Sequence, residues 1–347
     1  MRASLLPWCV LALVVVIPLA SAQTEETEPP PRTLAEVGTR YQTECPPPLF
    51  KLQKPETVSA AGHNFVVEGS TMVRQGGRWQ GPLTIGVLGA IKDASPETAQ
   101  NIRKAQAEFH KRGVQLVVAN GDISEGEFDL EDAFKLVGRE VKTPVLAFIG
   151  NSEGKGSFTR AFLKARAEHP HLFNMTWMRH VDLGGIHLVA LPGYYNLKFL
   201  HGRAGCHYQE SHVRELGRLV DSLNTKGDLV ILTAHGPPQS FGKAAIDVAH
   251  DAGNVGDPML TDLIERSAIP FGIFGHILEA GGRATSDLKR GTPLKLPVKK
   301  PVDKLYFNAG SASASPWAML DGSQSYGMAA VLSIQDKKGT LEFIKLR

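Results

Sequence analysis

Four short polar segments contain the residues whose chemistry is most distinctive. They are ANGDISE at 119–125, GNSEG at 150–154, AHGPP at 234–238 and GHILE at 275–279, and they supply Asp122, Asn151, His235 and His276. One carboxylate, one amide oxygen and two imidazoles form a mixed set of oxygen and nitrogen ligands. Such a set suits manganese, zinc or iron better than calcium or a metal that prefers thiolates. We therefore predict that these side chains bind one such metal ion.

Each polar segment follows an apolar stretch that predicts a buried strand. The four stretches are VQLVVAN, PVLAFIG, LVILTA and PFGIFG. In an open α/β sheet the carboxyl ends of the strands face a common crevice, so the four side chains are expected to converge. Glycines precede Asp122, Asn151 and His276 and would allow sharp turns there. The alternative is that each residue is structural, as a turn former or a buried histidine.

Helices alternate with these strands along the chain. Amphipathic patterns predict helices at 95–113, 131–141, 157–169, 210–224 and 257–267. Ser95 is in position to cap the first of them, and Pro96 suits its first turn. The stretches 304–310, 327–335 and 340–346 predict further strands at the end of the chain. Apolar strands that alternate with helices predict an α/β fold whose sheet is covered on both faces.

The first 48 residues differ in composition from the rest. An apolar stretch at 5–20 follows Arg2 and ends in the small residues ASA, which predicts a cleaved signal peptide at 1–22 and a secreted or periplasmic protein. A retained membrane anchor is the alternative. Residues 23–48 are acidic and proline-rich, which predicts an extended linker before one domain at 49–347.

Two cysteines remain after the predicted cleavage site, Cys45 and Cys206. In an oxidising compartment they have one possible pairing, which would join the N-terminal segment to the domain. Two free buried thiols are the alternative.

The composition excludes some classes of protein. Of the 347 residues, 42% are hydrophobic and 21% are charged, which is typical of a globular protein and not of a disordered one. The formal net charge is only +3, and the basic stretch at 294–304 is interrupted by prolines and has no aromatic residues beside its lysines. We therefore predict no nucleic-acid partner, and no membrane span once the signal peptide is removed.

The ordered series NGD, GN, H-x-P and GH, with each member at the end of a strand, resembles the calcineurin-like metallophosphoesterase superfamily. The resemblance covers residues 82 to 335, including YFNAGSASAS at 306–315. It implies a four-layer α/β/β/α sandwich with two metal ions bridged by one aspartate. It also implies that Asp122 is the bridging carboxylate, and that Asn151, His235 and His276 complete the second metal site.

The sequence departs from the family pattern at the first metal site. The family's aspartate and histidine after the first core strand are replaced by Ala90 and Lys92, and the last histidine is replaced by Leu278. Ser152 stands where the family has a histidine that contacts the substrate. The resemblance therefore implies a degenerate two-metal site with one half retained.

Three nearby residues are candidates to compensate for this loss. The Lys92 ammonium is predicted to contact an anion in place of the lost cation, and the alternative is a solvated lysine on a loop. Asp93 and Glu153 are close enough in sequence to approach the site, although they do not restore three ligands.

Two functions are consistent with this pattern. One is the hydrolysis of a phosphate ester with a single metal ion. Because one of two Lewis acids is absent, such an enzyme is expected to be slow. The other is a protein that binds an anion, a metal or a protein partner without turnover. Since function depends on the site and not on the fold, the sequence leaves both open.

Overall fold

The computed structural model describes residues 29–202 and 204–347. Two large β-sheets lie face to face in it, and strands are numbered along the chain. From edge to edge, the nine-stranded sheet contains β1 (Lys51–Ala60), β2 (His63–Gly69), β3 (Thr71–Arg74), β8 (His180–Asp182), β9 (Ile186–Leu191), β10 (Leu229–Ala234), β13 (Phe271–Phe274), β16 (Leu305–Asn308) and β14 (Arg283–Thr285).

The second sheet has seven strands. Its order is β15 (Val298–Val302), β20 (Lys338–Lys345), β19 (Met328–Gln335), β4 (Leu83–Gly89), β5 (Leu116–Asn120), β6 (Val145–Phe148) and β7 (Leu172–Asn174). Two short hairpins pair β11 (Val248–Ala249) with β12 (Gly253–Asn254), and β17 (Trp317–Ala318) with β18 (Gln324–Ser325).

Six α-helices are present in the described residues. They are α1 (Leu34–Arg40), α2 (Pro96–Lys111), α3 (Leu130–Glu140), α4 (Lys155–Glu168), α5 (Glu210–Asn224) and α6 (Pro258–Arg266). The five helices predicted from sequence correspond to α2 through α6. Helix α2 begins as predicted, because the Ser95 side chain accepts a hydrogen bond from the Thr98 amide and Pro96 occupies the first turn.

Alternate residues of the central strands pack in two different layers. Leu188 of β9 and Ile231 of β10 belong to the core between the two sheets. Their neighbours Val189 and Leu232 belong to a second core, against helices α5 and α6. On the other side, Phe109 of α2 packs over the seven-stranded sheet at Gly86. The layers are therefore helix, sheet, sheet and helix, which confirms the predicted α/β/β/α sandwich.

The apolar strands are covered on both faces, as predicted, but by two different kinds of layer. Each large sheet has helices on one face and the other sheet on the opposite face. An apolar strand has the same sequence whether a helix or another sheet covers it, so the apolar runs did not distinguish the two arrangements.

The strands that precede the polar segments are parallel within each sheet. Strands β5 and β6 run parallel in the seven-stranded sheet, and β10 and β13 run parallel in the nine-stranded sheet. The four segments thus come in two pairs, one pair from each sheet. The four segments can converge only if the carboxyl ends of these strands lie at the same edge of the sandwich. Contacts between their side chains place them there.

Part of the segment predicted as an extended linker forms a helix. Helix α1 buries Leu34 and Val37, which lie one turn apart, and it packs beside α4. Thr33 caps it by accepting a hydrogen bond from the Glu36 amide. The composition at 23–48 did not predict this helix, because its few apolar residues are stabilised by contact with α4 and not by local propensity. The domain boundary at residue 49 remains a prediction.

A disulfide joins Cys45 to Cys206, the first of the two sequence alternatives. It links the N-terminal segment to the chain between β9 and α5. The predicted signal peptide at 1–22 lies outside the described residues. Within 29–202 and 204–347, no helix is long and apolar enough to cross a membrane.

Candidate metal centre

The two sheets bring the predicted ligands to one place. Asp122 follows β5, Asn151 follows β6, His235 follows β10 and His276 follows β13. Ligand atoms of Asp122, His235 and His276 all lie within 4.8 Å of one another. The Asn151 amide oxygen lies between the two imidazoles, 2.8 Å from His235 Nε2 and 2.8 Å from His276 Nδ1. The four predicted ligands therefore converge.

The surrounding hydrogen bonds fix which atoms face the centre. His235 Nδ1 lies 3.0 Å from the Asn120 carbonyl, which can only accept, so Nδ1 carries a proton and Nε2 faces inward. The Asn151 Nδ2 amide donates to the Phe199 carbonyl at 2.7 Å, which leaves its Oδ1 pointing inward. Three kinds of electron-pair donor thus face one point, as metal ligands do.

The separations fit a single cation. His235 Nε2 is 3.2 Å from Asp122 Oδ1, besides its 2.8 Å contact with Asn151. Ligands that each lie about 2.1 Å from a zinc ion are separated from one another by roughly 3 to 3.5 Å. Asp122 Oδ1 also accepts hydrogen bonds from the backbone amides of Asn151 and Ser152, both at 3.2 Å. The Asp122–His235 separation lies in this range, and the two contacts at the Asn151 oxygen are slightly shorter, so the donor set suits a metal ion after a small outward shift of Asn151.

The electrostatics of the cluster favour positive charge at its centre. Burial alone would raise the pKa of Asp122, but the charge and hydrogen bond of His235 hold that pKa below its usual range. Burial would lower the pKa of His235, yet the Asp122 carboxylate raises it. Burial and the neighbouring His235 lower the pKa of His276 to about 3, so this imidazole is a neutral base at ordinary pH. An ionised carboxylate beside a neutral imidazole suits a cation.

Two glycines allow the close approach of the ligands. A Cβ atom at Gly121 would lie 2.4 Å from His235 Nδ1, and one at Gly150 would lie 2.4 Å from Asp122 Oδ1. The sequence prediction that glycines shape these turns holds at Gly121, which has a φ of +70°. At Gly150 the requirement is space for the neighbouring ligand and not a left-handed backbone.

Asp122 and His276 themselves adopt left-handed backbone conformations, with φ of +50° and +67°. These conformations are unfavourable for residues with a side chain, and they concentrate at functional sites. Ala90 and Lys92, at the positions of the lost first-metal ligands, share this feature, with φ of +34° and +69°. The loop after β4 therefore keeps a left-handed backbone at both positions.

Glu153 supports the centre from behind and does not enter it. One of its carboxylate oxygens accepts from the backbone amide of Ile123, and the other accepts from that of Gly150 at 2.9 Å. It thus ties the turn that holds Asp122 to the turn that holds Asn151. Burial, together with the nearby Asp122 charge, raises the pKa of Glu153 to about 7. Sequence reasoning considered Glu153 as a candidate ligand, and the structure places it as a support.

Solved structures share this architecture at low sequence identity. TT1561 of Thermus thermophilus is 12% identical, with a TM-score of 0.51 over 76% of this chain and 99% of that one. A dimetal phosphatase from Danio rerio is 14% identical, with a TM-score of 0.50 over 77% and 100% of the two chains. Purple acid phosphatase PPD1 from yellow lupin (Lupinus luteus) seeds is 11% identical, with a TM-score of 0.51 over 79% of this chain and 54% of that one.

The chain has the calcineurin-like metallophosphoesterase fold. At these identities the likeness concerns the fold, and the fold leaves the reaction open. No protein-family model matches the chain, and no curated protein matches its sequence.

The residues at the positions that the sequence resemblance assigns to a first metal provide no ligand there. Leu278 begins a short 3-10 helix and is buried. Ala90 is buried, and its carbonyl accepts a hydrogen bond from the Ser311 hydroxyl at 2.8 Å. Asp93, a candidate replacement, accepts instead from the Ser95 amide and the Ser313 hydroxyl, at 2.9 and 3.0 Å. These residues do not provide a second cation site.

Lys92 is neither a free anion contact nor a solvated lysine. Its ammonium pairs with Glu125 and lies 5.9 Å from the centre of the Trp317 ring. Its side chain is 14% exposed. The charge of Lys92 contributes to the electrostatics of Asp122 and His276, so it lies near the retained ligands. Its charge is nevertheless shared with Glu125, which weakens the predicted role as an anion contact.

Two features of the site were missed from sequence. The Tyr194 ring stacks on His276 with centroids 4.1 Å apart, and its hydroxyl is buried without a hydrogen-bond partner in the described residues. The Phe199 carbonyl orients Asn151, as described above. Both belong to the segment after β9, a strand whose carboxyl end also reaches the site. The signal was present, because an apolar strand followed by Tyr194 and Tyr195 matches the pattern used for the other four segments.

Proposed function

We propose that this protein binds a single divalent metal ion through Asp122, Asn151, His235 and His276, and that it hydrolyses a phosphate ester at that ion. The observation that carries the proposal is the convergence of four inward-facing ligand atoms, each oriented by a hydrogen bond or stacking contact on its outer side. The Asn151 oxygen and the Asp122 carboxylate are acceptors, so either a cation or protons on the two imidazoles must hold these groups together.

A bound ion would supply a Lewis acid that polarises a phosphoryl oxygen. The chain supplies the geometry of the centre. Asn120 sets the tautomer of His235, the Phe199 carbonyl sets the amide of Asn151, and Tyr194 covers His276. The Ser152 hydroxyl lies beside the ligand Asn151, is buried and has no hydrogen-bond partner within the described residues.

The proposal is tested by metal content and hydrolysis measured on the same preparations. The mature protein is incubated with manganese, zinc or iron, and its bound metal is measured after gel filtration. Hydrolysis of a generic phosphomonoester and a generic phosphodiester is then followed. One metal per chain, with slow hydrolysis abolished by His235→Ala, supports the proposal. Absence of bound metal under all three conditions contradicts it.

A second function, binding without turnover, is favoured by one observation. Leu278 and the Lys92–Glu125 ion pair occupy the region in which the fold otherwise holds a second metal. Without that metal, the two-sided clamp on the phosphoryl group is incomplete. One bound metal per chain with no hydrolysis of either substrate supports this second function over the first.

We also infer that the protein is secreted or periplasmic. The Cys45–Cys206 disulfide supports this location, because structural disulfides persist in oxidising compartments. N-terminal sequencing of the protein purified from its native source tests this inference: a mature chain that begins at Gln23 supports it, and an intact Met1 contradicts it.

A further inference from the structure

One loop contacts two of the four candidate ligands of the metal centre. This loop, here called the orienting loop, follows β9 and comprises residues 194–202 and 204–208. The Tyr194 ring stacks on His276 with centroids 4.1 Å apart, and the Phe199 carbonyl accepts from the Asn151 side-chain amide at 2.7 Å. The backbone amide of His201 donates to the Asn151 carbonyl at 3.1 Å. The position of the orienting loop therefore affects both ligands.

The two ends of the orienting loop meet at Cys206. The Tyr194 amide donates to the Cys206 carbonyl at 2.9 Å, and the Tyr208 amide donates to the Tyr194 carbonyl at 3.3 Å. The chain is closely packed here, because a Cβ atom at Gly193 would lie 2.4 Å from Cys206 Sγ. Cys206 is thus hydrogen-bonded to the residue whose ring stacks on a candidate ligand.

Between its two ends the orienting loop packs little against the rest of the protein. Leu197, Lys198 and Phe199 are all exposed, and so is His201. Exposed loops with few buried side chains open locally at a lower free-energy cost than the core does. A covalent bond at the base of the loop therefore limits the opening that would move Phe199 away from Asn151.

The disulfide ties the base of this loop to a distant segment. Its partner Cys45 is 161 residues away in sequence and follows helix α1. Helix α1 has only seven residues and is stabilised by packing beside α4. The first residue of α4, Lys155, donates its backbone amide to the Ala204 carbonyl of the orienting loop at 2.8 Å. A cross-link between segments so far apart removes conformational freedom from both of them.

One end of the disulfide is accessible from solution. Cys206 is fully buried, whereas Cys45 is partly exposed and lines an open cavity of 520 Å³. Lys155 lines the same cavity, and a nearby cation favours the thiolate that thiol–disulfide exchange requires. Exchange can therefore begin at Cys45 while the core stays closed.

We propose that the redox state of Cys45 and Cys206 controls the metal affinity of the centre, and that the disulfide form binds the ion more tightly. This inference rests on the proposed function for the metal ion and adds the condition under which the ion is held. Because an oxidising compartment favours the disulfide, the centre would reach its full affinity only after export.

The oxidant in this step is a protein that carries an exchangeable disulfide. The Cys45 thiolate attacks that disulfide and forms a mixed disulfide, and one donor sulfur leaves as a thiolate. The Cys206 thiolate then attacks Cys45 Sγ and displaces the second donor sulfur. The two cysteines lose two electrons and two protons, which the donor gains as it becomes a dithiol.

Titration with manganese compares the two redox states. The oxidised protein is compared with the same folded protein after reduction by a small dithiol, which is removed by gel filtration without oxygen. Manganese is used because it prefers oxygen and nitrogen ligands to the two new thiols. We expect the Kd of the reduced protein to be at least about tenfold higher, since the groups that orient two ligands become loose. A Kd within about twofold of the oxidised value would overturn the proposal.

Two variants separate the covalent link from general stability. Cys45→Ala/Cys206→Ala is expected to show the Kd of the reduced protein and no further response to the dithiol. The matched control is Val298→Ala, which removes buried apolar atoms from edge strand β15 and keeps the disulfide. Its Kd is expected to equal that of the unaltered oxidised protein. An equal loss of affinity in both variants would overturn the proposal, because metal binding would then follow overall stability.

Trypsin cleavage after Lys198 reports on the orienting loop without any metal. Lys198 is exposed within this loop, and Lys337, exposed in the turn between β19 and β20, is the matched control site. Reduction is expected to accelerate cleavage after Lys198 several-fold and to leave cleavage after Lys337 unchanged. Equal acceleration at the two sites, or none at Lys198, would overturn the proposal.

The two measurements distinguish this inference from the proposed function. Absence of bound manganese, zinc and iron in the oxidised protein contradicts the proposed function. Faster cleavage after Lys198 on reduction would then still support control of the orienting loop by the disulfide. Equal metal affinity in the two redox states overturns this inference alone and leaves the proposed function intact.

Discussion

The molecule contains two histidine pairs with the same spacing and different chemistry. The ring centroids of His235 and His276 are 5.1 Å apart, and those of His180 and His187 are also 5.1 Å apart. Three of these four side chains are buried, and His276 is partly exposed. Only the first pair forms a candidate metal centre in the described residues. Burial and proximity of two imidazoles are therefore insufficient to predict a metal site.

In the second pair, each ring nitrogen has a hydrogen-bond partner, and the hydrogen bonds form a chain. His187 Nε2 lies 3.2 Å from the Asp228 carboxylate. Burial would raise the pKa of Asp228, but the hydrogen bond with His187 lowers it, so the carboxylate is ionised and Nε2 donates to it. His187 Nδ1 then accepts from His180 Nε2 at 3.0 Å. His180 Nδ1 in turn accepts from the Thr71 hydroxyl at 3.4 Å. Every inward atom has a partner of the opposite kind, and no electron pair is left for a cation.

The first pair instead converges on acceptors. His235 Nε2 and His276 Nδ1 both face the Asn151 oxygen, and the Asp122 carboxylate lies beside them. The outer hydrogen bonds, from His235 to Asn120 and from Asn151 to Phe199, fix which atoms face the centre, so only a cation or protons on the imidazoles can link them. The two pairs thus differ in the direction of their hydrogen bonds, which turns acceptor atoms toward one point only in the first pair.

Removal of one imidazole from each pair should give the largest contrast. We expect His235→Ala to weaken metal affinity at least about 100-fold, because a direct ligand is lost. His187→Ala should leave metal affinity unchanged, although it disturbs a buried network. Metal content by mass spectrometry and calorimetric titration with zinc measure both. An equal loss of metal in the two variants would show that the effect is general misfolding.

Substitutions that restore the lost ligands should create a second metal site beside the first. We expect the triple substitution Ala90→Asp/Lys92→His/Leu278→His to raise bound metal from one to two per chain. It supplies carboxylate and imidazole ligands at positions where the backbone at 90 and 92 is already left-handed, and it removes the Lys92 ammonium. Lys92→Leu alone is the control and should stay at one metal. A stoichiometry of one in the triple variant would contradict the assignment of these positions.

The second pair should contribute to the pH dependence of the free energy of unfolding. Burial and the neighbouring His187 lower the pKa of His180 from 6.5 to about 4. Between these pH values the unfolded chain binds more protons than the folded chain, so the free energy of unfolding should fall as pH decreases from 6.5 to 4. The loss attributable to His180 is at most about 3 kcal/mol. Urea unfolding across this range measures it, and His180→Gln should flatten the dependence. An unchanged slope in that variant would contradict the buried neutral state of His180.

The smallest expected effect concerns the support behind the first pair. Glu153→Gln keeps the size of the side chain but places an amide donor against backbone amides that the carboxylate binds, which are those of Ile123, Ser124 and Gly150. We expect metal affinity to fall about tenfold, as is typical when a group behind a ligand is altered. Calorimetric titration measures the change. Glu125→Gln is the control, because Glu125 is exposed and binds no ligand of the centre, and it should leave metal affinity within about twofold of the unaltered protein. A larger loss in the control than in Glu153→Gln would contradict the supporting role.

The sequence predicted much of the fold because its signals are local. Periodic apolar residues, the Ser95 cap and the Pro96 first turn predicted α2, and the apolar stretches predicted β5, β6, β10 and β13. Helix α1 was missed because its stability comes from α4, which is more than a hundred residues away in sequence. The pairing of sheet against sheet was equally invisible to the apolar pattern, and only the resemblance to a known family implied it.

The sequence alone was enough to predict the four candidate ligands, since residue type and position at strand ends are properties of the chain. Their convergence on one point was decided by the tertiary structure. Two sheets must bring their strand ends to one edge, and distant groups such as the Asn120 and Phe199 carbonyls must orient each ring and amide. The contacts of Lys92 were likewise decided by the tertiary structure, which places Glu125 and Trp317 within reach of its flexible side chain.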